Sequence, residues 1–312
     1  MQLCVSFAAL GVFGAALWSG QQAPAPAAAQ PADEPARISV DVSRVNMLFT
    51  VTDKKGRFVT DLARDDFEVI EGKKPQTIQT FIAETDLPLR LGILIDTSNS
   101  VRERFRFEQD AAAEFLRTVM RAHLDKALLV RFDTRAELVT DLIDDPQKLE
   151  AGIRDLRPGG GTALYDAIFY ACRDKLALDQ PRTKFRRAIV IVSDGDDNQS
   201  DYTRDQALEM AQKADVVIYA ISTNRTGAAT EGDKVLRYLT SETGGRAFFP
   251  FQVEDMAQSF ENIANELRHQ YNILYRPEPL LTDGLWHAVS LHVKGRKDLV
   301  VRARAGYYAP KM

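Results

Sequence analysis

LGILIDTSNS, from Leu91 to Ser100, is the stretch from which the rest of the chain can be interpreted. An apolar run, LGILI, leads into Asp96, and four side chains that carry hydroxyl or amide groups follow it: Thr97, Ser98, Asn99 and Ser100. A short, continuous apolar run is typical of a strand that is buried on both faces of a parallel sheet. The polar residues then lie where the strand ends, and this predicts a site there.

Three further apolar runs, KALLVRFD, RAIVIVSDG and DVVIYAIS, follow at intervals that leave room for helices. The intervening segments EQDAAAEFLRTVMRAH, YTRDQALEMAQKA and EDMAQSFENIANELRHQ have apolar residues on one helical face. Strands that alternate with helices predict an α/β fold with a doubly wound, mostly parallel sheet. AELVTDLI follows RFDT so closely that we predict a short antiparallel edge strand there.

The α/β segment, residues 88–270, lies between two segments with a β pattern. Residues 38–87 and 271–312 are rich in β-branched and aromatic residues, with turn residues between the runs. Neither segment alone contains enough apolar residues for a core of its own. We therefore predict that the two pair into one small β-sandwich, with the α/β domain inserted between them.

The N-terminus has the composition of an export signal. CVSFAALGVFGAALW is an apolar run of suitable length, and an Ala/Pro tract with small-x-small cleavage sites follows it. We predict a signal peptide over residues 1–29, a Pro/Ala linker over 30–37, and a protein that is periplasmic, cell-surface or secreted. No Lys or Arg precedes the run, and an uncleaved membrane anchor is the alternative, although the run only marginally spans a bilayer.

Composition excludes several classes of function. The net charge of -4 and the absence of a Lys/Arg-rich run argue against a nucleic-acid partner. Beyond the predicted signal peptide the only cysteine is Cys172, which lies on an apolar helix face, so we expect a packed thiol. The four histidines have no zinc-like spacing.

Three loops rich in oxygen-bearing side chains are predicted at one edge of the sheet. They are DTSNS, GGGTALYDA with Thr162 at the start of a helix, and SDGDDN with Asp194 after the RAIVIV strand. In open α/β sheets, ligands bind at the carboxyl ends of the strands. These donors are hard oxygens, which suit Mg²⁺, Mn²⁺ or Ca²⁺ rather than zinc. Such a set leaves room for an acidic oxygen from outside.

The three loops together resemble the metal ion-dependent adhesion site of von Willebrand factor A domains. DTSNS is similar to the family's D-x-S-x-S motif, GGGTALYDA to its threonine loop, and VSDGDD to the loop of its second aspartate. The resemblance covers about residues 88–270, and the flanks are similar to those of bacterial von Willebrand factor A-related proteins. It implies a Rossmann-like domain and a Mg²⁺ site built from Asp96, Ser98, Ser100, Thr162 and Asp194. Ser98, Ser100 and often Thr162 would bind the ion directly, and Asp96 and Asp194 would commonly act through water. In the family, a partner's Glu or Asp completes the shell.

Alternative roles exist for several of these residues. Asp96, Ser98 and Ser100 have the composition of a helix N-cap, but capping does not explain Thr162 and Asp194. The glycines before Thr162 are explained by a flexible loop or by close backbone approach to the metal. SDGDDN is not an EF-hand loop, because it has Gln199 where glycine is needed. We place five further residues behind the ligands or at the rim of the site: Asn99, Gly161, Asp166, Asp196 and Asp197.

Three functional hypotheses follow from the sequence. The first is a non-enzymatic module that binds an acidic side chain of a protein partner through Mg²⁺. It would contact a membrane only if the N-terminal run stays uncleaved as an anchor. In the second, the metal is structural and the β-sandwich mediates assembly. The third is a metal-dependent phosphoester hydrolase, against which the sequence offers no partnered general base and no second metal site.

Overall fold

The computed structural model describes residues 44–83, 87–102, 105–179, 184–224, 228–252 and 255–311. The predicted signal peptide, the linker and the first residues of the N-terminal β segment lie outside these ranges. No helix among the described residues is long and apolar enough to cross a membrane.

The described residues form fourteen strands and six α-helices. The N-terminal segment contains β1 Val45–Asp53, β2 Phe67–Glu71, β3 Lys74–Gln76 and β4 Ile78–Ile82. The middle of the chain contains β5 Leu89–Asp96, α1 Phe105–Val119, β6 Lys126–Phe132, β7 Ala136–Ile143, α2 Pro146–Asp155, α3 Leu164–Tyr170, β8 Arg186–Ser193, α4 Arg204–Lys213, β9 Val216–Ser222, α5 Glu231–Thr243, β10 Ala247–Phe248 and α6 Asp255–Arg268. The C-terminal segment contains β11 Tyr271–Tyr275, β12 Trp286–Val293, β13 Leu299–Ala303 and β14 Gly306–Tyr308.

The middle of the chain forms a six-stranded sheet in the order β10-β9-β8-β5-β6-β7. β5 pairs in parallel with β6 on one side and with β8 on the other. Every residue of β5 is buried, as its apolar sequence predicts. The strand order reverses at β5, so the crevice beyond its carboxyl end is the topological switch point of the sheet.

Helices cover both faces of this sheet, which confirms the predicted doubly wound architecture. On one face, the core includes side chains of α1, α2 and α6, with Phe115, Leu149 and Phe260 among them. On the other face, the core includes side chains of α3, α4 and α5, and it also contains Cys172. That thiol is fully buried, and burial raises its pKa, so the prediction of a packed cysteine is confirmed. The predicted antiparallel edge strand is β7.

The two flanking segments pair with each other, as predicted. One four-stranded sheet has the order β13-β1-β11-β4 and the other β14-β12-β2-β3, so each contains strands from both ends of the chain. The two sheets enclose a common apolar core. Within this core the Phe49 ring lies 5.1 Å from the Phe67 ring and 5.3 Å from the Tyr271 ring, measured between centroids.

We expect Phe49→Ala to destabilise the protein by about 3–5 kcal/mol, because it removes the ring at the centre of this cluster. Urea unfolding followed by tryptophan fluorescence measures the change. Leu285→Ala is the matched control, since Leu285 is 63% exposed and its removal should alter the free energy of unfolding by no more than about 0.5 kcal/mol. Equal effects of the two substitutions would contradict a core formed jointly by the two segments.

Candidate metal centre

The predicted site lies at the edge of the sheet where β5, β8, β9 and β10 end. Their register is continuous: Ile95 pairs with Val192, Val192 with Ile221, and Ile221 with Phe248. The residue that follows this row in each strand therefore lies at the same edge of the sheet. In β5 this residue is Asp96, and in β8 it is Ser193. The carboxyl ends of these parallel strands therefore lie side by side along one edge of the sheet, as the sequence predicts.

Asp96 is fully buried at the end of β5. One carboxylate oxygen, Oδ1, accepts a hydrogen bond of 2.8 Å from the Ser98 amide, and Oδ2 accepts one of 2.7 Å from the Ser193 hydroxyl. Burial raises the pKa of Asp96 to about 6, against the opposing effect of these hydrogen bonds, and the negative charge of Asp194 raises the pKa further. Asp96 is thus a carboxylate held in a position that disfavours its charge.

Ser98 and Ser100 follow in the turn beyond β5. Their hydroxyl oxygens lie 2.9 Å apart, as two neighbouring ligands of one cation would require. Ser98 is buried and Ser100 is exposed, so the pair extends from the interior to the surface. Between them, Asn99 points to the glycine loop, where its side-chain amide donates to the Gly160 carbonyl oxygen at 3.1 Å.

The glycine loop brings Thr162 beside the loop that follows β8. The Thr162 amide donates to Asn198 Oδ1 at 3.0 Å, and the Thr162 carbonyl oxygen accepts from the Asn198 amide at 3.0 Å. A Cβ atom on Gly161 would lie 2.6 Å from Cγ of Gln199 and 2.8 Å from Asn198 Oδ1. Glycine is favoured here because the two loops approach each other closely. The approach of this backbone to a metal stays a prediction.

Asp194 is half-buried immediately after β8, and its Oδ1 accepts a hydrogen bond of 3.2 Å from the Asp196 amide. Gly195, with φ of +84°, turns the chain against the first turn of α5. A Cβ atom on Gly232 in that turn would lie only 2.2 Å from the Asp194 carbonyl oxygen. The backbone of Asp194 is therefore in direct contact with a helix that follows much later in the chain.

The acidic residues around the ligands have different roles. Asp196 is exposed at the rim, but its carboxyl group is partly desolvated. This desolvation, together with the negative charges of Asp194 and Asp233, raises the pKa of Asp196. Asp197 is half-buried and accepts hydrogen bonds from the Tyr165 amide at 3.1 Å and the Ser200 hydroxyl at 2.6 Å. Asp197 thus connects the loop after β8 to α3, instead of lying as a surface acid.

Asp166 belongs to the same connection between α3 and the loop after β8. Its Oδ1 accepts a hydrogen bond of 2.9 Å from the Tyr202 amide, and its own amide donates to the Ser200 hydroxyl at 3.0 Å. Asp166 therefore fixes the loop, in keeping with its placement behind the ligands.

Three residues that support the site were absent from the sequence prediction. Ser193 donates to Asp96 and also accepts from the Gly195 amide at 3.1 Å. Asn198 holds Thr162, and Gly232 contacts the Asp194 backbone. A hydroxyl group directly before Asp194, at the end of a strand, was a usable indication for Ser193. Nothing in the sequence around Gly232 indicates its contact.

The chemistry of this donor set fits a cation. Among the described residues, no ion pair reaches Asp96 or Asp194, although a buried carboxylate normally has a positively charged partner. The same ranges contain no cluster of three or more His, Cys, Asp and Glu side chains that would hold a metal. A cation at this edge would therefore depend on hydroxyl oxygens as well as carboxylates, which are hard ligands.

Comparison with known proteins identifies the domain that carries these loops. Residues 91–196 match the sequence model of the von Willebrand factor type A domain, and this range contains all five predicted ligands. The chain contains a von Willebrand factor type A (VWA) domain. The alternation of strands and helices, the switch point at β5 and the three loops are then features of this domain. No curated protein has a sequence that matches the chain.

Solved structures with a similar fold include proximal thread matrix protein 1 from the mussel byssus. It is 15% identical, with a TM-score of 0.52 over 64% of this chain and 51% of that protein. A form of the mussel protein with a zinc-occupied MIDAS motif gives 16% identity and a TM-score of 0.51 over 62% and 48% of the two chains. BatB from Bacteroides thetaiotaomicron is 15% identical, with a TM-score of 0.47 over 57% and 98%. The chain spans about half of the mussel protein, and at these identities the likeness concerns the fold alone.

Proposed function

We propose that this protein is a divalent-metal-dependent protein-binding module. Asp96, Ser98, Ser100, Thr162 and Asp194 of the VWA domain would hold the cation, and a Glu or Asp side chain of a protein partner would complete its shell. The observation that carries the proposal is the buried Asp96 carboxylate, which lies beside a pair of hydroxyl groups and within reach of a second carboxylate. A cation there would remove the cost of burying Asp96.

Mg²⁺ is the proposed cation, with Mn²⁺ and Ca²⁺ as the other hard cations that the ligands suit. Mg²⁺ prefers six oxygen ligands and retains water readily, so two carboxylates and three hydroxyls would leave a position for an external carboxylate. The mussel relative contains zinc at its MIDAS motif. Ser and Thr hydroxyl groups favour the harder cations over zinc, so we expect this site to prefer Mg²⁺ to zinc.

The proposed role is binding rather than catalysis. The acidic and hydroxyl groups around Asp96 are engaged with backbone amides and with each other, in contacts that orient loops. A water-activating site would also need a positioned general base beside the metal. The N-terminal sequence supports export, and we place the protein in the periplasm, at the cell surface or in the secreted fraction.

Isothermal titration with MgCl₂ and a pull-down from cell-envelope extract, with and without EDTA, test the proposal. We expect Ser98→Ala to weaken Mg²⁺ binding at least about tenfold, since loss of even an outer-shell partner costs 10–100-fold, and to abolish metal-dependent capture. Ser241→Ala is the matched control, because Ser241 is an exposed helix serine. Partner capture that withstands both EDTA and Ser98→Ala would contradict the proposal.

A further inference from the structure

Two exposed phenylalanines lie at the same edge of the sheet as the metal centre. The sequence Phe248-Phe249-Pro250-Phe251 continues β10, and its residues alternate between buried and exposed. Phe249 is 36% exposed and Phe251 is 67% exposed. We call these two residues the aromatic pair. Exposed aromatic side chains that lie close together mark interaction sites more often than isolated apolar residues do.

The register of the sheet places the aromatic pair on a line with the metal centre. Ile95, Val192, Ile221 and Phe248 form one row across four parallel strands. Asp96 directly follows Ile95 at one end of the row, and Phe249 directly follows Phe248 at the other end. Ser98 and Phe251 come two residues later in the same two segments. Neighbouring strands lie about 4.8 Å apart, so three strand spacings separate β5 from β10 by about 14 Å.

The part of this edge next to the metal centre is acidic. Asp194 and the exposed Asp196 follow β8, which lies next to β5 in the row. Beyond them the guanidinium of Arg237 lies 3.9 Å from the centroid of the Phe249 ring, which is a cation–π contact. The edge thus offers, in order, a cation that needs a carboxylate, an acidic rim that favours a basic group, and an aromatic surface.

We propose that the partner binds as an extended segment with the pattern acid-x-basic-x-apolar; this rests on the proposed function of the metal centre. Alternate side chains of an extended chain point to the same side, and each residue advances it by about 3.3 Å. The acid would occupy the metal position and the basic side chain two residues later would lie over Asp196. The apolar side chain four residues later, about 13 Å from the acid, would contact the aromatic pair.

Synthetic nonapeptides test this pattern by titration in MgCl₂, with fluorescence anisotropy as the measurement. The reference peptide contains Asp-Ser-Lys-Ser-Leu between Gly-Ser ends, and variants replace its Leu by Ser, its Lys by Glu, or its Asp by Asn. With the unmodified protein we expect the Leu-to-Ser peptide to bind roughly tenfold more weakly, the size of a contact that contributes strongly to an interface. The Lys-to-Glu peptide should also bind more weakly.

Variants of the protein assign the effect to the aromatic pair. In the double variant Phe249→Ala/Phe251→Ala, the Leu and Ser peptides should bind equally, because the contact that distinguishes them is absent. Leu178→Ala is the matched control: Leu178 is 70% exposed in the helical turn Leu176–Leu178 that precedes β8. This control should preserve the full tenfold difference.

The outcomes separate this inference from the proposed function. If binding requires Mg²⁺ and the Asp of the peptide, yet the double variant still distinguishes Leu from Ser, the metal centre stands and the aromatic contact is overturned. If Asn replaces Asp without loss, the proposed function itself fails. Absence of binding by the reference peptide overturns the pattern. Self-association of the protein in sedimentation, if the double variant abolishes it, also overturns the pattern, because a second copy of the protein would then cover the aromatic pair.

Discussion

Replacement of Asp96 by asparagine should stabilise the metal-free protein at neutral pH and, at the same time, remove its affinity for Mg²⁺. The carboxyl group has a pKa of about 6 in the folded protein, against an ordinary value of 3.8. The folded state therefore binds the proton more tightly than the unfolded state does. Below pH 3.8 both states are protonated, and stability falls as the pH rises through 6.

At pH 7.5 the ionised carboxylate costs the fold about 3 kcal/mol, at about 1.4 kcal/mol for each pKa unit. The asparagine oxygen can accept the hydrogen bond from the Ser98 amide, and the uncharged NH2 group in place of Oδ2 can donate to the Ser193 hydroxyl. We expect Asp96→Asn to gain about 3 kcal/mol at pH 7.5 and almost nothing at pH 3.5. Urea unfolding in EDTA at both values of pH measures the gain.

Asp205→Asn is the matched control, because Asp205 is 72% exposed and paired with Arg204; it should leave stability at both pH values nearly unchanged. Addition of MgCl₂ should stabilise the unmodified protein and the control by mass action, and should leave Asp96→Asn unaffected. A variant that is no more stable than the unmodified protein in EDTA at pH 7.5 would show that burial of the charge is not costly here.

Gly232→Ala should disrupt the metal centre from a helix that contributes no ligand. The added Cβ would lie 2.2 Å from the Asp194 carbonyl oxygen and 2.8 Å from the Gly195 carbonyl carbon. Both are backbone atoms, so no side-chain rotation relieves the clash, and either the loop after β8 or the first turn of α5 must move. We expect a loss of about 1–3 kcal/mol of stability and a decrease in Mg²⁺ affinity of more than about tenfold.

Helix propensity predicts the opposite sign for the same substitution, which makes the experiment decisive. Alanine within a helix is favoured over glycine by about 1 kcal/mol, so without the clash Gly232→Ala would stabilise α5. Ser241→Ala in the same helix is the matched control, because Ser241 is exposed and its side chain bonds only within the helix. A Gly232→Ala protein with raised thermal stability and unaltered Mg²⁺ titration would refute the role of this contact.

The central part of the fold was predictable because its determinants are local. A strand buried on both faces must be apolar through its middle, and LGILI and AIVIV have that character. Parallel strands end at a common edge, so polar residues directly after two such strands had to lie close together. The pairing of the flanking segments followed from their shortage of apolar residues, although the sequence did not specify which strands would be neighbours.

The support of the site was not predictable, because its contacts join distant parts of the chain. Gly232 looks like an unfavourable residue in a helix, and only the structure shows the backbone that it admits. In the sequence Asp197 resembles a surface acid, yet its carboxylate accepts a hydrogen bond from the Tyr165 amide of α3. The row that aligns Asp96 with Phe249 depends on the register of three strand pairs, and a short apolar sequence does not define register.

The paired flanking segments also constrain the order in which the protein can fold. Val45 of β1 pairs with Tyr275 of β11, so the sandwich closes a loop that contains the whole VWA domain. Closing so long a loop in an unfolded chain has a large entropic cost. Folding of the inserted domain first brings Leu89 and Arg268 to fixed positions and thereby shortens the effective loop. We therefore expect the pairs that join the two flanking segments, such as β1 with β11, to form late, after the VWA domain between them.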